Sequence, residues 1–303
     1  MRIKSLVFSG ISAALLGACA FFEPAPLDVT PSATATVFDA NPVLTRVLAD
    51  QDDAAKARYG DRNPRDTIEF FGITPGMTVA EVLPGGGWYT KILLPYLGDE
   101  GTLIGVDYSI DMWSKFGGFA DEAYLESKKT WPETWVANAI ENNWQDDTSG
   151  HLAAFAFGSR DTSFDGQVDV AFLVRVMHHL NRFNTDEKNY MTEALADTHA
   201  MLKPGGILGI VQHRAPEENS DAWANGDNGY IKKSDLVRWV EAAGFELVGE
   251  NEINANSKDM PTNEDFVWRL PPTLGTSRDD PELRAQMLAI GETDRMTLKF
   301  RKR

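Results

Sequence analysis

The sequence is poor in cysteine and in positive charge, and both shortages limit what the protein can be. Cys19 is the single cysteine in 303 residues, so no disulfide can form within the chain. The 29 lysines and arginines are outnumbered by 45 aspartates and glutamates, which gives a formal net charge of -16. An acidic field repels phosphate backbones, and no basic stripe precedes the terminal KFRKR. We therefore expect no nucleic-acid partner.

The chain also lacks a long apolar run. Its first residues, MRIKSLVFSGISAALLGAC, combine a cationic start with an apolar stretch too short to span a membrane, which predicts a signal peptide over residues 1–18. The segment LGAC resembles a bacterial lipobox, in which the cysteine becomes the lipidated first residue of the mature chain. The alternative is an ordinary signal cleaved after a small residue. The lipobox implies an exported, periplasmic lipoprotein that contacts the membrane only through a lipid on Cys19. Ala20 then favours the outer membrane.

Residues 19–40 are rich in proline, alanine and threonine without a helical period, which predicts a flexible tether. A folded domain is expected over residues 41–303. Asn41-Pro42 and Asn63-Pro64 predict two helix starts, each with a cap followed by a first-turn proline.

Short apolar strands alternate with helices from residue 75 onward, which predicts a parallel sheet covered on both faces. The expected strands lie at residues 77–83, 102–107, 151–157, 168–176, 207–213, 245–253 and 295–302. Two insertions interrupt the alternation, at about 108–150 and 254–293. Insertions of this length are usually lids or binding loops when they are ordered. The first contains Trp113, Trp131, Trp135 and Trp144, for which substrate binding and simple packing on the sheet are equal alternatives.

The segment EVLPGGGWYT, residues 81–90, places three glycines between a strand and a helix, the general arrangement of a nucleotide-binding turn. A phosphate-binding P-loop is excluded because no lysine follows the glycines. A dinucleotide fingerprint would lack its last glycine, at Thr90, which makes an NAD-type oxidoreductase the weaker alternative. Asp107, at the end of the second strand, suits any ribose because a carboxylate accepts hydrogen bonds from two hydroxyls.

These motifs together resemble the class I S-adenosylmethionine-dependent methyltransferases. The glycine segment resembles their first motif, although Leu83-Pro84 stands where the family usually has its first glycine. VDVAFLVRVMHHL and MLKPGGILGIVQH resemble the fourth- and fifth-strand motifs, and RMTLKF fits the antiparallel last strand. The resemblance implies an α/β fold with a seven-stranded, doubly wound, Rossmann-like sheet. RNPRDTIEFFGITPGM, EINANSKD and AIGETDRMTLKF further resemble a group of exported, predicted methyltransferases of unsettled activity.

The resemblance also implies S-adenosylmethionine as the cofactor and assigns residues to it. The implied contacts are to the methionine moiety and ribose (Gly85, Gly86, Gly87), the cofactor amine (Glu81), the ribose hydroxyls (Asp107), the ribose or adenine ring (Tyr108) and the adenine amino group (Asp161). Three of these assignments have a structural alternative: tight strand–helix packing for the glycines, a capping or structural carboxylate for Glu81, and a solvated loop acid for Asp161.

The carboxyl ends of the fourth and fifth strands carry the candidate chemistry, because active sites of open α/β sheets lie at that edge. His178 is the first candidate for a general base or acceptor-orienting group, and His213 is the second. Arg175 and Arg214 are candidates for binding an acidic acceptor. No histidine pair has the helix-face spacing of a metal site, so no metal is expected. The predicted function is methyl transfer to an unidentified small-molecule or envelope acceptor; the alternative is a non-catalytic binding protein on the same fold.

Overall fold

A mostly parallel β-sheet organises the computed structural model, which describes residues 39–142, 144–145 and 149–303. The predicted signal peptide, the lipidation site at Cys19 and the predicted tether up to residue 38 lie outside the described residues. Ala40–Arg303 forms one compact unit. None of the described helices is both long enough and apolar enough to cross a membrane.

The sheet contains eight strands: β1 Thr78–Val82, β2 Thr102–Asp107, β3 His151–Ala156, β4 Val168–Val174, β5 Leu202–Ala215, β6 Ile231–Lys232, β7 Phe245–Asn251 and β8 Arg295–Lys302. The main path runs β3-β2-β1-β4-β5-β8-β7, and β6 pairs with β5 off this path. β1 to β5 are parallel, whereas β8 is antiparallel to both β5 and β7. The predicted seven-stranded, doubly wound sheet with an antiparallel last strand is confirmed. The two-residue β6 is an addition that the sequence pattern did not indicate.

The described helices cover both faces of this sheet: α1 Pro42–Ala49, α2 Asp53–Lys56, α3 Tyr59–Arg62, α4 Pro64–Phe71, α5 Thr90–Leu97, α6 Ile110–Trp113, α7 Glu122–Lys129, α8 Trp131–Glu141, α9 Met177–Arg182, α10 Tyr190–Met201, α11 Lys233–Ala242 and α12 Pro281–Ile290. Both predicted helix starts are confirmed. The Asn41 side chain accepts a hydrogen bond from the Leu44 amide at 3.3 Å, as a cap does. Asn63 precedes α4 in a left-handed conformation, φ 39°, and its side chain donates to the Ile253 carbonyl instead.

Two apolar clusters, one on each face, bury the central strands. One includes residues of α9, α10 and α11, and the other includes residues of α1, α4, α5 and α8. In β1 and β4, inner residues such as Ala80 and Phe172 are fully buried, as expected for parallel strands covered on both sides. Polar groups at the carboxyl ends of these strands are therefore held on a rigid base.

The first insertion folds into α6, α7 and α8, and three of its tryptophans pack against the domain. The Trp135 ring lies against Gly105 of β2 so closely that a Cβ there would come within 2.9 Å of it. Trp131 stacks on Trp135 with centroids 5.8 Å apart, and Trp144 covers Gly87. These contacts support the packing alternative for Trp131, Trp135 and Trp144. The second insertion contributes α12 and a short 3-10 helix, Val267–Arg269.

Candidate functional site

The turn after β1 has the backbone of a glycine-rich loop even where glycine is missing. Leu83 has φ 54°, in the left-handed region that L-residues with side chains rarely adopt. Gly85 and Gly87 follow with φ 57° and 75°. Leu83 stands where the resembled family usually has its first glycine, and it adopts a conformation that favours glycine. Leu83 therefore adopts a glycine-like backbone conformation despite its side chain, and the strain falls at a candidate ligand site.

The three glycines face different surroundings. A Cβ at Gly86 would meet nothing within 4 Å, and one at Gly85 would approach only the Leu83 carbonyl, at 3.9 Å. A Cβ at Gly87 would instead lie 2.5 Å from the Trp144 ring. Gly85 and Gly86 are thus open to a ligand, whereas Gly87 is covered by the protein's own tryptophan.

Glu81 lies beneath this turn and is buried, with 4% of its surface exposed. Its carboxylate accepts a hydrogen bond of 2.7 Å from the Thr90 hydroxyl at the start of α5, which supports the structural alternative for Glu81. Burial raises the pKa of Glu81 to about 7, and the bonds from Thr90 oppose the rise. Glu81 also lines a narrow cavity of about 50 Å³ together with Arg62 and Arg175. The structure therefore places Glu81 both at a helix start and beside a cluster of cations.

Asp107 ends β2 at the carboxyl edge of the sheet, but its carboxylate is held by the first insertion. The Lys128 ammonium of α7 lies 2.8 Å from one carboxylate oxygen, and the Tyr108 amide donates to the other at 2.8 Å. Burial raises the pKa of Asp107, and Lys128 opposes the rise. The ammonium also lies 4.1 Å from the centre of the Trp113 ring and 5.2 Å from that of Tyr124. The acid that a ribose would contact is thus engaged by the protein itself.

The two residues assigned to the adenine region lie in different environments. Tyr108 is 1% exposed, stacks on Phe116 with centroids 5.9 Å apart, and has its hydroxyl 3.0 Å from Nδ1 of His179. Asp161 lies on an exposed turn, where its carboxylate accepts a hydrogen bond from the Ser163 amide and its pKa is lowered by that bond. Asp161 therefore has the environment of the solvated loop acid that was its structural alternative.

The predicted histidines do come together. The ring of His178 lies 4.0 Å from that of His179 and 5.3 Å from that of His213, measured between centroids. Nδ1 of His178 lies 3.3 Å from the Gln212 side-chain oxygen, and Nδ1 of His213 lies 2.5 Å from the Thr293 hydroxyl. Burial lowers the pKa of His178 to about 3 and holds the pKa of His213 well below its usual value.

Neutral rings of such low basicity are weak proton acceptors, because general-base catalysis is most efficient when the pKa lies near the working pH. The surroundings therefore favour orientation of an acceptor over removal of its proton. Among the described residues, no group of three or more His, Cys, Asp or Glu side chains is arranged to hold a metal ion.

The two predicted arginines lie in different environments. Arg214 is fully paired: its guanidinium contacts Asp294 at 2.8 Å and Glu252 at 2.8 Å, and it borders a separate depression beside Pro216. Arg175 instead lines a cavity of about 460 Å³ that also includes the open glycine turn and the three histidines.

Four residues that line this cavity had no role predicted from the sequence: Arg58, Arg62, Trp88 and Trp268. Arg62 belongs to the segment RNPRDTIEFFGITPGM, which contributed to the narrower resemblance, but that resemblance assigned no role to Arg62. Trp268 comes from the second insertion, which therefore reaches the site as a loop of this kind was expected to do.

Comparison with known proteins gave structural similarity without sequence matches. No family model and no curated protein matches the chain. Similar solved structures include a SAM-dependent methyltransferase from Aquifex aeolicus (16% identity, 72% of this chain and 94% of that one, TM-score 0.44). They include the cyclase SpnF (17%, 86% and 91%, TM-score 0.47). They also include the 1,6-didemethyltoxoflavin-N1-methyltransferase of Burkholderia thailandensis (14%, 89% and 93%, TM-score 0.44), solved with bound 1,6-didemethyltoxoflavin and S-adenosylhomocysteine.

Proposed function

We propose that the protein transfers a methyl group from S-adenosylmethionine to a small-molecule acceptor. One observation carries the proposal: the open turn at Gly85 and Gly86 and the buried acid Asp107 lie at the carboxyl ends of neighbouring parallel strands. In open α/β sheets this edge is where ligands bind. A glycine turn without a lysine, next to an acid at the end of the following strand, suits an adenosyl ligand better than a nucleotide phosphate.

The residues present suit the two ends of this cofactor unequally. At the methionine end, the open glycines and Glu81 offer backbone approach and a carboxylate for an amine. At the adenosine end, the required acid is present, but Asp107 must exchange the Lys128 ammonium for ribose hydroxyls. Cofactor binding would therefore displace the Lys128 side chain from the Asp107 carboxylate. When bound, the cofactor supplies a methyl group on a sulfonium centre, whose transfer depends mainly on alignment with the acceptor.

The protein's own contribution to that alignment is the part of the cavity lined by His178, His213 and Trp268. His178 and His213 are neutral and buried there, so each offers one ring nitrogen as donor or acceptor without a charge. The Trp268 ring lies 6.1 Å from the His178 ring and 6.4 Å from the His179 ring, and it provides an apolar surface. These groups would orient an acceptor and exclude water, and neither role requires a strong base.

The proposal predicts that Asp107→Asn weakens binding of S-adenosylhomocysteine about 10- to 100-fold. A carboxylate accepts a charge-assisted hydrogen bond from each of two hydroxyls, whereas an amide offers one acceptor oxygen, and such bonds are worth about 1.5–3 kcal/mol each. Calorimetric titration of the purified chain measures the loss. The matched control is Asp169→Asn: Asp169 also pairs with a lysine, Lys203 at 2.6 Å, but at the opposite edge of the sheet. Equal affinity of Asp107→Asn and the unchanged protein would contradict the assignment.

A second candidate function is supported by a single contact. Lys128 occupies the Asp107 carboxylate that a ribose would need. This arrangement suits a binding protein that has kept the fold and transfers no methyl group. A protein that binds neither S-adenosylmethionine nor S-adenosylhomocysteine, even after removal of the Lys128 ammonium, would favour this candidate.

We further propose that the protein is exported and anchored by a lipid on Cys19, on the strength of the lipobox-like LGAC and the absence of any second cysteine. Cys19→Ser should move the protein from the membrane fraction to the soluble fraction of its host, because the lipid would be its only attachment. Membrane fractionation with an antibody measures the change. Fractionation identical to that of the unchanged protein would refute the anchor.

A further inference from the structure

Four arginines from three parts of the chain lie together beside the cavity, and within the described residues a single carboxylate, Glu292, pairs with three of them. Glu292 contacts Arg58, the Arg62 Nε at 3.2 Å and the Arg295 guanidinium at 3.2 Å. Three of these four residues are nearly inaccessible: Arg62 is 5% exposed, Arg295 2% and Glu292 4%. The group, which we call the arginine cluster, consists of Arg58, Arg62, Arg175 and Arg295.

Arg175 is the member of the cluster that the protein leaves unpaired. In the described part of the chain it makes no side-chain hydrogen bond or ion pair, and its buried Nε has no partner. Burial, together with the neighbouring Arg62 and Arg295, lowers the pKa of Arg175 to about 9. An unpaired guanidinium next to like charges is unfavourable, and the nearby Glu292 offsets this only in part because burial and the arginines outweigh it.

The backbone of Arg175 is also strained. Its φ is 59°, a left-handed conformation that costs a residue with a side chain of this size about 1–2 kcal/mol. Strain of this kind persists where surrounding structure enforces it, and it concentrates at functional sites. Here the enforced conformation directs the chain out of β4, where the Arg175 amide donates to the Val211 carbonyl at 2.7 Å.

The cavity in front of Arg175 has room for an anion with an organic body. Its volume is about 460 Å³, and it is lined by Arg58, Arg62 and Arg175 together with neutral histidines and Trp268. Glu81 borders only the narrow extension below, and its pKa near 7 leaves it partly protonated at neutral pH. Local charge is thus positive in a chain whose net charge is -16, so a bound anion would find a region that attracts it.

We propose that the arginine cluster binds the phosphate or carboxylate group of a small organic molecule, with Arg175 as its central contact. Guanidinium groups match the geometry of both anions and can donate two parallel hydrogen bonds to either. That this molecule is the methyl acceptor rests on the proposed function; the anion site itself does not.

Inorganic phosphate is the probe that tests the site, by calorimetry and thermal shift of the purified chain at constant ionic strength. Arg175→Met should weaken phosphate binding at least tenfold and remove the phosphate-dependent rise in Tm. Arg301→Met is the control, because it removes one positive charge from an exposed pair on β8, with Glu246, away from the cavity. Phosphate affinity of Arg175→Met equal to that of the unchanged protein would overturn the proposal.

A second variant guards against misfolding of the first. Arg58→Met should weaken phosphate binding by a smaller factor, about threefold, because Arg58 lies at the cavity rim with 28% of its side chain exposed. Its removal leaves Glu292 paired with Arg62 and Arg295, so the fold should be retained. Phosphate binding that is insensitive to this change, when Arg175→Met cannot be measured, would also count against the cluster.

Competition distinguishes the two sources of an anionic group. Phosphate and S-adenosylhomocysteine should bind simultaneously if the cluster serves a separate molecule. Mutual exclusion would mean that the cluster holds the carboxylate of the cofactor's own methionine moiety, which would overturn the assignment. Because the phosphate titration needs no cofactor, phosphate binding without S-adenosylhomocysteine binding would support the anion site while removing the methyltransferase function.

Discussion

Replacing Lys128 with glutamine should raise the affinity for S-adenosylhomocysteine at least about tenfold. In the structure the Lys128 ammonium lies 2.8 Å from the Asp107 carboxylate, the group proposed to bind the ribose. The ammonium is therefore an intramolecular competitor, and a ligand must displace it before the acid is accessible. A tenfold change corresponds to about 1.4 kcal/mol, which is modest for an ion pair with both partners largely buried.

The same substitution should lower the free energy of unfolding by about 3 kcal/mol in the absence of ligand. Asp107 is only 2% exposed, and removal of its partner leaves a buried carboxylate without a compensating charge. The Lys128 ammonium also lies 4.1 Å from the centre of the Trp113 ring, a cation–π contact that glutamine cannot make. Lower stability combined with tighter binding is the signature expected of a competitor.

Lys129→Gln provides the matched control, because Lys129 follows on the same helix but is exposed and pairs with Glu126 within α7. It should change neither ligand affinity nor stability measurably. Calorimetry measures the affinities, and urea denaturation followed by circular dichroism measures the stabilities. If Lys128→Gln lost stability without gaining affinity, Lys128 would be a structural partner of Asp107 and the ribose assignment would fail.

The second large effect concerns Glu81 and pH. Burial raises the pKa of Glu81 from its ordinary 4.5 to about 7 in the folded protein. Between these two values the folded state binds more protons than the unfolded state, so stability falls as pH rises through that window. Above pH 7 the ionised carboxylate costs the folded protein about 3 kcal/mol, from 1.36 kcal/mol for each pKa unit. Glu81→Gln abolishes this cost, because an amide does not ionise.

The expected result is a pH-dependent difference between the two proteins. At each pH, the free energy of unfolding of the unchanged protein is subtracted from that of Glu81→Gln. This difference should be about 3 kcal/mol larger at pH 8 than at pH 4.5. The amide oxygen of the introduced glutamine can still accept the Thr90 hydroxyl, and the neighbouring Arg62, Arg175 and Arg295 are unchanged in both proteins. The difference therefore isolates the titration of one carboxyl group.

Glu246→Gln is the control with the opposite sign. Glu246 is exposed on β7 and pairs with Arg301, which lowers its pKa. A lowered pKa contributes stability above the ordinary value and loses it as pH falls, so Glu246→Gln should be most unfavourable at high pH. Chemical denaturation at a series of pH values measures both variants. A Glu81→Gln difference that stays constant from pH 4.5 to 8 would show that Glu81 titrates normally.

The fold was predictable because its signal lies in local patterns. A few neighbouring residues are enough to recognise each apolar strand, each turn and the closing RMTLKF. Parallel topology then places the carboxyl ends of the parallel strands at one edge of the sheet. Even Leu83, where the glycine motif departs from the resembled family, keeps the left-handed backbone of the turn. The convergence of His178 with His213 followed from the same topology, since each follows or ends a parallel strand in the middle of the sheet.

The remaining contacts of the site depend on how distant segments pack, which local patterns do not encode. Lys128 reaches Asp107 from an insertion whose helices were not assigned to the site. Trp144 covers Gly87 from the same insertion, which removes one of the three predicted glycines from the open surface. Arg62 and Arg295 belong to segments near opposite ends of the domain, and both contact Glu292. Two of the segments that carried the narrower resemblance, RNPRDTIEFFGITPGM and AIGETDRMTLKF, thus meet at the arginine cluster, which their sequences alone did not reveal.

The most direct test of the account is calorimetric titration of S-adenosylhomocysteine into the purified chain and into its Lys128→Gln variant. The account predicts saturable heat for one site in both proteins, with the tighter binding in the variant because Asp107 is no longer occupied by an ammonium. Absence of binding heat in both proteins would contradict an adenosyl ligand at the carboxyl edge of β1 and β2.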